Sequence, residues 1–474
     1  MTNKKVARLL LGISIMFILL IVYITAFDLL NHDKYAATNS SDREGFVRRG
    51  AIFDRNDVLL AESTGNIKNQ KREYPYKNLY AHIIGYKSST YDTTGIERNY
   101  NNALMGQSET ALVGGMITFF DDAKYALNGN DEKTGADITL TIDNALQETA
   151  SKALGNYKGA VVVMNPQTGE IYAMVSKPDF DPTPETLGTA MEAANNSNDG
   201  CLTSRATAGS YMPGSTFKVI VAASMIENRM SGYTIDETSE IRTPVSNYGG
   251  SEGVKAEIDL ETAFKKSNNI YFSEAAIELG ADEVLETAKR FMFTEPITLD
   301  KVNVNSGTLP DESDVNSYGK ISNMALGQGK VSASPLKMAL IASAIANDGI
   351  MMQPYIIADI SDPVSYEAEA KTLKRCVSSS TAKKLKDLMR LCVASGTGTK
   401  ANVSGKDVCG KTGTAEIDTN SGTAHAHFIG FAPYDNPQVA IAVVLENVPD
   451  KVTGGGAAAP IAKVVLEKYF ELYK

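Results

Sequence analysis

Ser215-Thr216-Phe217-Lys218 places a hydroxyl and an amine three residues apart, directly after a Pro213-Gly214 turn. On a helix this spacing brings both groups to one face, near an N-terminus whose partial charge favours an oxyanion. A serine hydroxyl is a poor nucleophile until a neighbouring base takes its proton. Lys218 can be that base only when neutral, so burial and a nearby cation must lower its pKa from the ordinary value of about 10.4. Ser267-Asn268-Asn269 adds a second hydroxyl, able to relay a proton between that amine and a leaving nitrogen. Its Asn269 amide offers both a donor and an acceptor to a substrate amide. Lys411-Thr412-Gly413 supplies a fixed charge for a terminal carboxylate, on an edge strand whose continuation to Thr414 lets backbone approach an extended peptide. The chemistry available to this set is acyl transfer through a serine ester.

Each pattern alone is weak. S-x-x-K recurs at Ser317–Lys320, Ser334–Lys337 and Ser380–Lys383, and K-T-G recurs at Lys133-Thr134-Gly135. Only Ser215 follows a Pro-Gly turn and opens a long apolar segment. Ser334 precedes a proline that disturbs the helical spacing, and Ser317 sits in a polar loop. No S-x-N separates Ser380 from Lys411, and Lys133, in a polar turn, precedes every candidate serine. These decoys are expected as solvated surface residues.

The elements that must position the set can be read from periodicity. From Ser215 to about Met230 the chain is apolar nearly all round, which marks a helix inside a large core. Asp143 is the expected N-cap of a helix carrying Leu146, Ala150 and Leu154. Gly159–Met164 and Glu170–Ser176 read as a hairpin closed by Asn165-Pro166-Gln167-Thr168-Gly169. Met338–Asn347 reads as a buried helix stopped near Gly349. Lys411–Glu416, His427–Ala432 and Val439–Glu446 read as strands, and Pro460–Phe470 as a closing helix. Strands at both ends with helices between predict an α/β or α+β domain over residues 136–474 whose sheet joins distant sequence. Residues 28–135 are polar, Tyr-rich and irregular, with turn signals at Arg55-Asn56-Asp57 and Thr94-Gly95, and suit a stalk or small non-catalytic domain.

Composition narrows the class. A chain of 474 residues with 43% hydrophobic and 22% charged residues reads as globular, and a net charge of −10 argues against a nucleic-acid partner. Leu9 to Phe27 is a run of 19 uncharged residues behind Lys4, Lys5 and Arg8. As a helix it would span about 28 Å, close to a bilayer core. The rival is a cleaved signal peptide, but no small-x-small site follows Phe27. The expectation is a cytoplasmic tail over 1–8, a transmembrane anchor over 9–27 and everything later outside. Cys201, Cys376, Cys392 and Cys409 permit disulfides or free thiols. His425 and His427 share a strand face without a third ligand nearby, so no metal is expected, and no cofactor.

The three patterns in this order resemble the penicillin-binding proteins and β-lactamases. The likeness extends to Arg49-Gly50-Ala51-Ile52-Phe53-Asp54-Arg55, Ala81-His82-Ile83-Ile84-Gly85-Tyr86, Gly95-Ile96-Glu97, Met324-Ala325-Leu326-Gly327-Gln328-Gly329 and Phe428-Ile429-Gly430-Phe431-Ala432-Pro433, and covers nearly the whole chain. It points to a class B penicillin-binding protein without appended modules, departing at His427, where relatives often carry an aromatic. The resemblance implies an antiparallel sheet flanked by helices in a transpeptidase domain, acting on D-Ala-D-Ala stem peptides and acylated by β-lactams. It implies Ser215, Lys218, Ser267, Asn269 and Lys411 as catalytic residues and Thr412, Gly413 and Thr414 as substrate contacts. The backbone N–H groups of Ser215 and Thr414 would form the oxyanion hole. It also implies a lipid-linked precursor as the source of stem peptides and a separate membrane glycosyltransferase partner. A D,D-carboxypeptidase, a β-lactamase-like hydrolase or a non-catalytic β-lactam sensor or scaffold remains open.

Overall fold

The computed structural model describes residues 11–23, 47–107, 133–197, 199–238, 241–247, 257–418 and 422–474. Its centre is a five-stranded sheet of β1 (Gly159–Met164), β2 (Ile171–Lys177), β3 (Cys409–Asp418), β4 (Thr423–Ala432) and β5 (Val439–Pro449). The spatial order is β3-β4-β5-β1-β2, antiparallel throughout, with β3 at an edge. Sequence-distant strands thus meet in one sheet, and the hairpin read at 159–176 is β1–β2.

Alternation along the strands splits the core in two. Val161 and Val163 join Phe428, Ile441 and Val443 on one face, beneath α1 (Asn144–Leu154) and the closing helix. Val162 and Met164 join Ile429, Phe431 and Ala442 on the other, beneath α5 (Pro335–Ala346) and in one core with α2 (Lys218–Glu227). Between these two helices in sequence lie α3 (Leu260–Lys266) and α4 (Asn269–Leu279), and the closing helix, α6, is Ala459–Leu472. A strand buried on both faces must be apolar at every position, which is why the runs are continuous. Fully burying one such Val or Ile is worth about 1.5–3 kcal/mol. Asp143 caps α1 as expected, accepting from the Leu146 N–H at 3.0 Å.

The Ser334–Lys337 decoy departs from expectation, because both residues are fully buried. Ser334 is the N-cap of α5 and Pro335 occupies its first turn, where the missing N–H removes no helical bond. The proline therefore starts a helix instead of disturbing one. Lys337 donates to the carbonyls of Met292 and Glu295, and burial pushes its pKa down to about 8. Ser317, Lys320, Ser380 and Lys383 are exposed, whereas Lys133 lies in a two-residue strand paired with Val47–Arg48 instead of a turn. All four cysteines are free thiols.

The segment before Gly135 is less irregular than its composition suggests. Short strands at 52–53, 59–64 and 71–73 join strands at 138–140, 357–360 and 366–367 in a six-stranded mixed sheet. The Asp54 carboxylate closes the turn signalled at 55–57 by accepting from Asn56 and Val58 N–H, and reaches the Asn144 N–H of α1. Arg55 lies 4.6 Å from the ring of Tyr172 and 5.6 Å from that of Tyr473 in the C-terminal segment. Of the expected 9–27 anchor, residues 11–23 are helical with every side chain exposed, and the remainder lies outside the described residues. Among the described residues no helix is long and apolar enough to cross a membrane.

Glu97 is the electrostatic centre of this N-terminal region. Its carboxylate receives Arg49 Nε and Arg72 Nε at 2.6 Å each, with all three side chains almost completely buried. Burial alone would raise the Glu97 pKa, but the two guanidinium groups outweigh it and hold the carboxylate ionised. Removing one partner of a buried ion network strands the others. Glu97→Gln is therefore expected to cost about 3–5 kcal/mol. Urea denaturation followed by tyrosine fluorescence, in a chain without tryptophan, checks this; a loss below about 1 kcal/mol, the range of an exposed pair, would contradict it.

Candidate active site

Ser215 does not begin an α-helix. Gly214–Phe217 is a 3-10 turn, and regular α-helix starts only at Lys218. Thr216 Oγ1 tightens the turn by donating to the Pro213 carbonyl at 2.7 Å, and Gly214 enters it with φ +54°. Residues i and i+3 eclipse in a 3-10 turn, so Ser215 and Lys218 share an edge more closely than an α-helix would place them. Phe217 anchors the turn from below, edge-on to Phe293 with ring centroids 5.4 Å apart.

The turn lies against β3. A Cβ on Gly413 would stand 2.7 Å from the Pro213 carbonyl oxygen, and one on Gly214 would stand 2.7 Å from that of Thr414. Glycine at both positions lets two backbones touch, which fixes the distance from Ser215 to the strand. Ser215 is half-buried and lines a cleft of about 950 Å³ together with Ser267, Asn269, Thr412, Gly413 and Thr414. Lys218 and Lys411 lie fully buried behind that lining.

Ser267 ends α3 in a left-handed conformation, φ +57°, and Asn268 caps α4 by accepting from the Tyr271 N–H. This break between two helices turns Ser267 and Asn269 toward Lys218. Lys218 Nζ is 2.7 Å from the Ser267 carbonyl oxygen, 2.7 Å from Asn269 Oδ1 and 3.3 Å from Ser267 Oγ. Lys411 Nζ reaches the same Ser267 Oγ at 2.9 Å, so one hydroxyl bridges two amines. Burial, and then the charge of Lys411, hold the Lys218 pKa well below its ordinary value. Burial pushes Lys411 down to about 8, which makes it a titrating charge and not the fixed one expected.

The partners of Lys218 accommodate the neutral amine that burial and Lys411 favour. A neutral amine has two hydrogens and one lone pair; the two oxygens at 2.7 Å are carbonyl-type and can only accept, so they take both hydrogens. The lone pair is then left for a hydroxyl proton. Asn269 also departs from expectation: Oδ1 is committed to Lys218 and Nδ2 donates to the Ser246 carbonyl at 2.9 Å, leaving one N–H for a substrate. Sequence reasoning missed Glu237, Ser246 and Asn247, which line the cleft from a segment without periodicity. It also missed Gly454, where a Cβ would stand 2.3 Å from the Gly413 carbonyl oxygen. The run Gly454-Gly455-Gly456 before α6 was a readable signal of such close packing.

Comparison with known proteins follows this geometry. Residues 159–467 match the penicillin binding protein transpeptidase domain, and residues 49–136 match the penicillin binding protein A dimerisation domain. The peptidoglycan D,D-transpeptidase PbpA of Mycolicibacterium smegmatis is 32% identical, with 98% of each chain covered. Stage V sporulation protein D of Bacillus subtilis is 30% identical over 82% of this chain and 62% of its own. The penicillin G acyl-enzyme complex of penicillin-binding protein A from M. tuberculosis superposes with a TM-score of 0.80 at 32% identity, covering 89% of this chain and 99% of that one. The chain belongs to the penicillin-binding transpeptidases, in their class B.

His427 is the cleft's hidden liability. It pairs across the sheet with Gly413, is buried, and has neither ring nitrogen in a hydrogen bond. Burial first, then His425 with ring centroids 6.2 Å away, hold its pKa down to about 3, and the Met212 backbone acts the other way. The unfolded chain protonates this group near its ordinary value of about 6.5. Stability is therefore complete above that pH and falls as pH drops toward the folded value. His427→Phe replaces an unpaired buried polar ring by an apolar one. Its denaturation midpoint should rise, most at pH 4–5, and lose part of its acid dependence; a midpoint tracking the wild type at every pH would contradict this.

Proposed function

We propose that this chain is a peptidoglycan D,D-transpeptidase with Ser215 as its nucleophile. The observation that carries the reading is the Lys218 amine, dry and depressed in pKa, with its hydrogens directed to two carbonyl oxygens and Ser215 three residues away on the cleft wall. Neutral Lys218 takes the proton of Ser215 as Oγ attacks the penultimate D-Ala carbonyl. Backbone N–H groups of Ser215 and Thr414 hold the oxyanion, each such donor being worth about 10²–10³ in rate. The adduct collapses with cleavage of the peptide bond, Ser267 hands a proton from Lys218 to the departing nitrogen, and D-Ala leaves. An acceptor amine then attacks the ester, its surplus proton passes directly or through Ser267 to Lys218, and Lys218 returns a proton to Ser215 Oγ, which leaves as the hydroxyl while the cross-link forms. Lys411 in its charged form receives the substrate carboxylate, and β3 offers its edge to the extended stem peptide. A β-lactam acylates Ser215 by the same attack, opening its ring.

Glu237, Glu416 and Asp450 line the cleft, and none of them hydrogen-bonds Ser215, Lys218 or Ser267. A class A β-lactamase drives water onto the ester with a dedicated glutamate; no described carboxylate of this cleft is so placed, which supports transfer to an amine. Residues 9–27 anchor the enzyme in the plasma membrane with residues 1–8 inside; the exposed Leu, Ile and Phe side chains of 11–23 support this. Residues 28–135 form the pedestal and 136–474 the transpeptidase domain, outside the membrane, beside a separate glycosyltransferase that supplies glycan strands from lipid-linked precursor.

Fluorescent penicillin tests the assignment. Wild type should form a long-lived covalent adduct and Ser215→Ala none, with alanine at Ser317, Ser334 or Ser380 leaving labelling intact where folding survives. The second-order acylation rate should climb with pH through the lowered Lys218 titration and fall above about pH 8 as free Lys411 loses its proton. Labelling of a folded Ser215→Ala variant, or release of the opened drug within seconds, would overturn the assignment.

A further inference from the structure

The orientation of the Asn269 amide decides what Lys218 can do, and that orientation is set from outside the three motifs. Asn269 Oδ1 faces Lys218 because Nδ2 donates to the carbonyl of Ser246 at 2.9 Å. The next residue, Asn247, accepts on Oδ1 from the N–H of Asn269 at 2.7 Å, adding a cap to α4 beyond that of Asn268. Asn247 Nδ2 and Asn268 Nδ2 both donate to Glu237 Oε1, at 2.9 and 2.7 Å. Each of the three amides therefore has a carbonyl or carboxylate on its nitrogen side and a donor on its oxygen side, and none can flip without setting like against like. The far end of the 242–247 segment is also tied down: the N–H groups of Arg242 and Thr243 donate to Glu274 of α4 at 2.7 and 2.6 Å.

We propose that Glu237 and Asn247 are positioning residues for acylation, which hold the Asn269 oxygen on Lys218 and so keep the Lys218 lone pair available to Ser215. The proposal rests on the assignment of Lys218 as the base. A flipped Asn269 would point its NH₂ at Lys218, where it could be accommodated only by occupying that lone pair. It would also remove an acceptor that favours the ammonium form, so the Lys218 pKa would drop.

The test is the pH profile of second-order acylation by fluorescent penicillin in full-length Asn247→Ala, Glu237→Ala and Glu237→Gln, with rates taken from the labelled fraction alone. The two alanine variants should lose about tenfold in plateau rate, the equivalent of one hydrogen bond, and their acid limb should move to lower pH. Glu237→Gln should retain the wild-type plateau and limb, since one neutral oxygen can accept from both asparagines. A merely structural role would lower the labelled fraction and leave the limb in place, which overturns the proposal. Wild-type kinetics in both alanine variants also overturns it, as does a shifted limb in Glu237→Gln, the variant that decides if the alanines do not fold. An unlabelled Ser215→Ala control beside any of these results shows that only the positioning role has failed and that the function of Ser215 stands.

Discussion

Two lysine side chains are buried within reach of one serine hydroxyl, and among the described residues no carboxylate pairs with either. Bringing an ammonium group out of water is costly, and a second ammonium nearby adds to the cost. The least expensive arrangement is one charge and one neutral amine. Lys218 is the one that both burial and its neighbour depress, while Lys411 is depressed only to about 8 and is the charge that survives near neutrality. A single electrostatic constraint thus separates a neutral amine from a charged one, with Ser267 Oγ touching both.

The architecture reads as the means of enforcing that constraint. A sheet buried on both faces supplies an edge strand that cannot shift, and glycines at 214 and 413 let the Ser215 turn rest on it. The break between α3 and α4 brings a backbone carbonyl and a side-chain amide to the Lys218 amine, groups that can steer its hydrogens without neutralising its depressed pKa as a carboxylate would. Capping of α4 by two asparagines then ties this geometry to a helix terminus, where unsatisfied N–H groups must find acceptors in any case.

Legibility in the sequence followed the strength of the local code. Continuous apolar runs at 159–164 and 439–445, the Asp143 cap and the closing helix were readable because periodicity and capping are local signals. Ser215, Lys218, Ser267, Asn269 and Lys411 could be gathered from motif order, yet their contacts could not, since those depend on residues separated by up to 144 positions. The burial of Lys337 was invisible because a long apolar stem lets a lysine enter a core whenever carbonyls wait at its tip. The strands before Gly135 escaped notice because all but 59–64 are two or three residues long and carry no period, and 52–53, 59–64 and 71–73 are held by pairing with one another and, through 52–53, with residues 138–139.

The central claim, that Lys218 is held neutral by burial and by the charge of Lys411, can be measured directly. NMR titration of ¹³C-lysine-labelled protein, with the Lys218 Cε signal assigned through Lys218→Met, reports its pKa in the unliganded enzyme. The account predicts titration well below 10.5 in the wild type and an upward shift in Lys411→Met, where the neighbouring charge is gone. A Lys218 signal titrating near its ordinary value, unmoved by Lys411→Met, would contradict it.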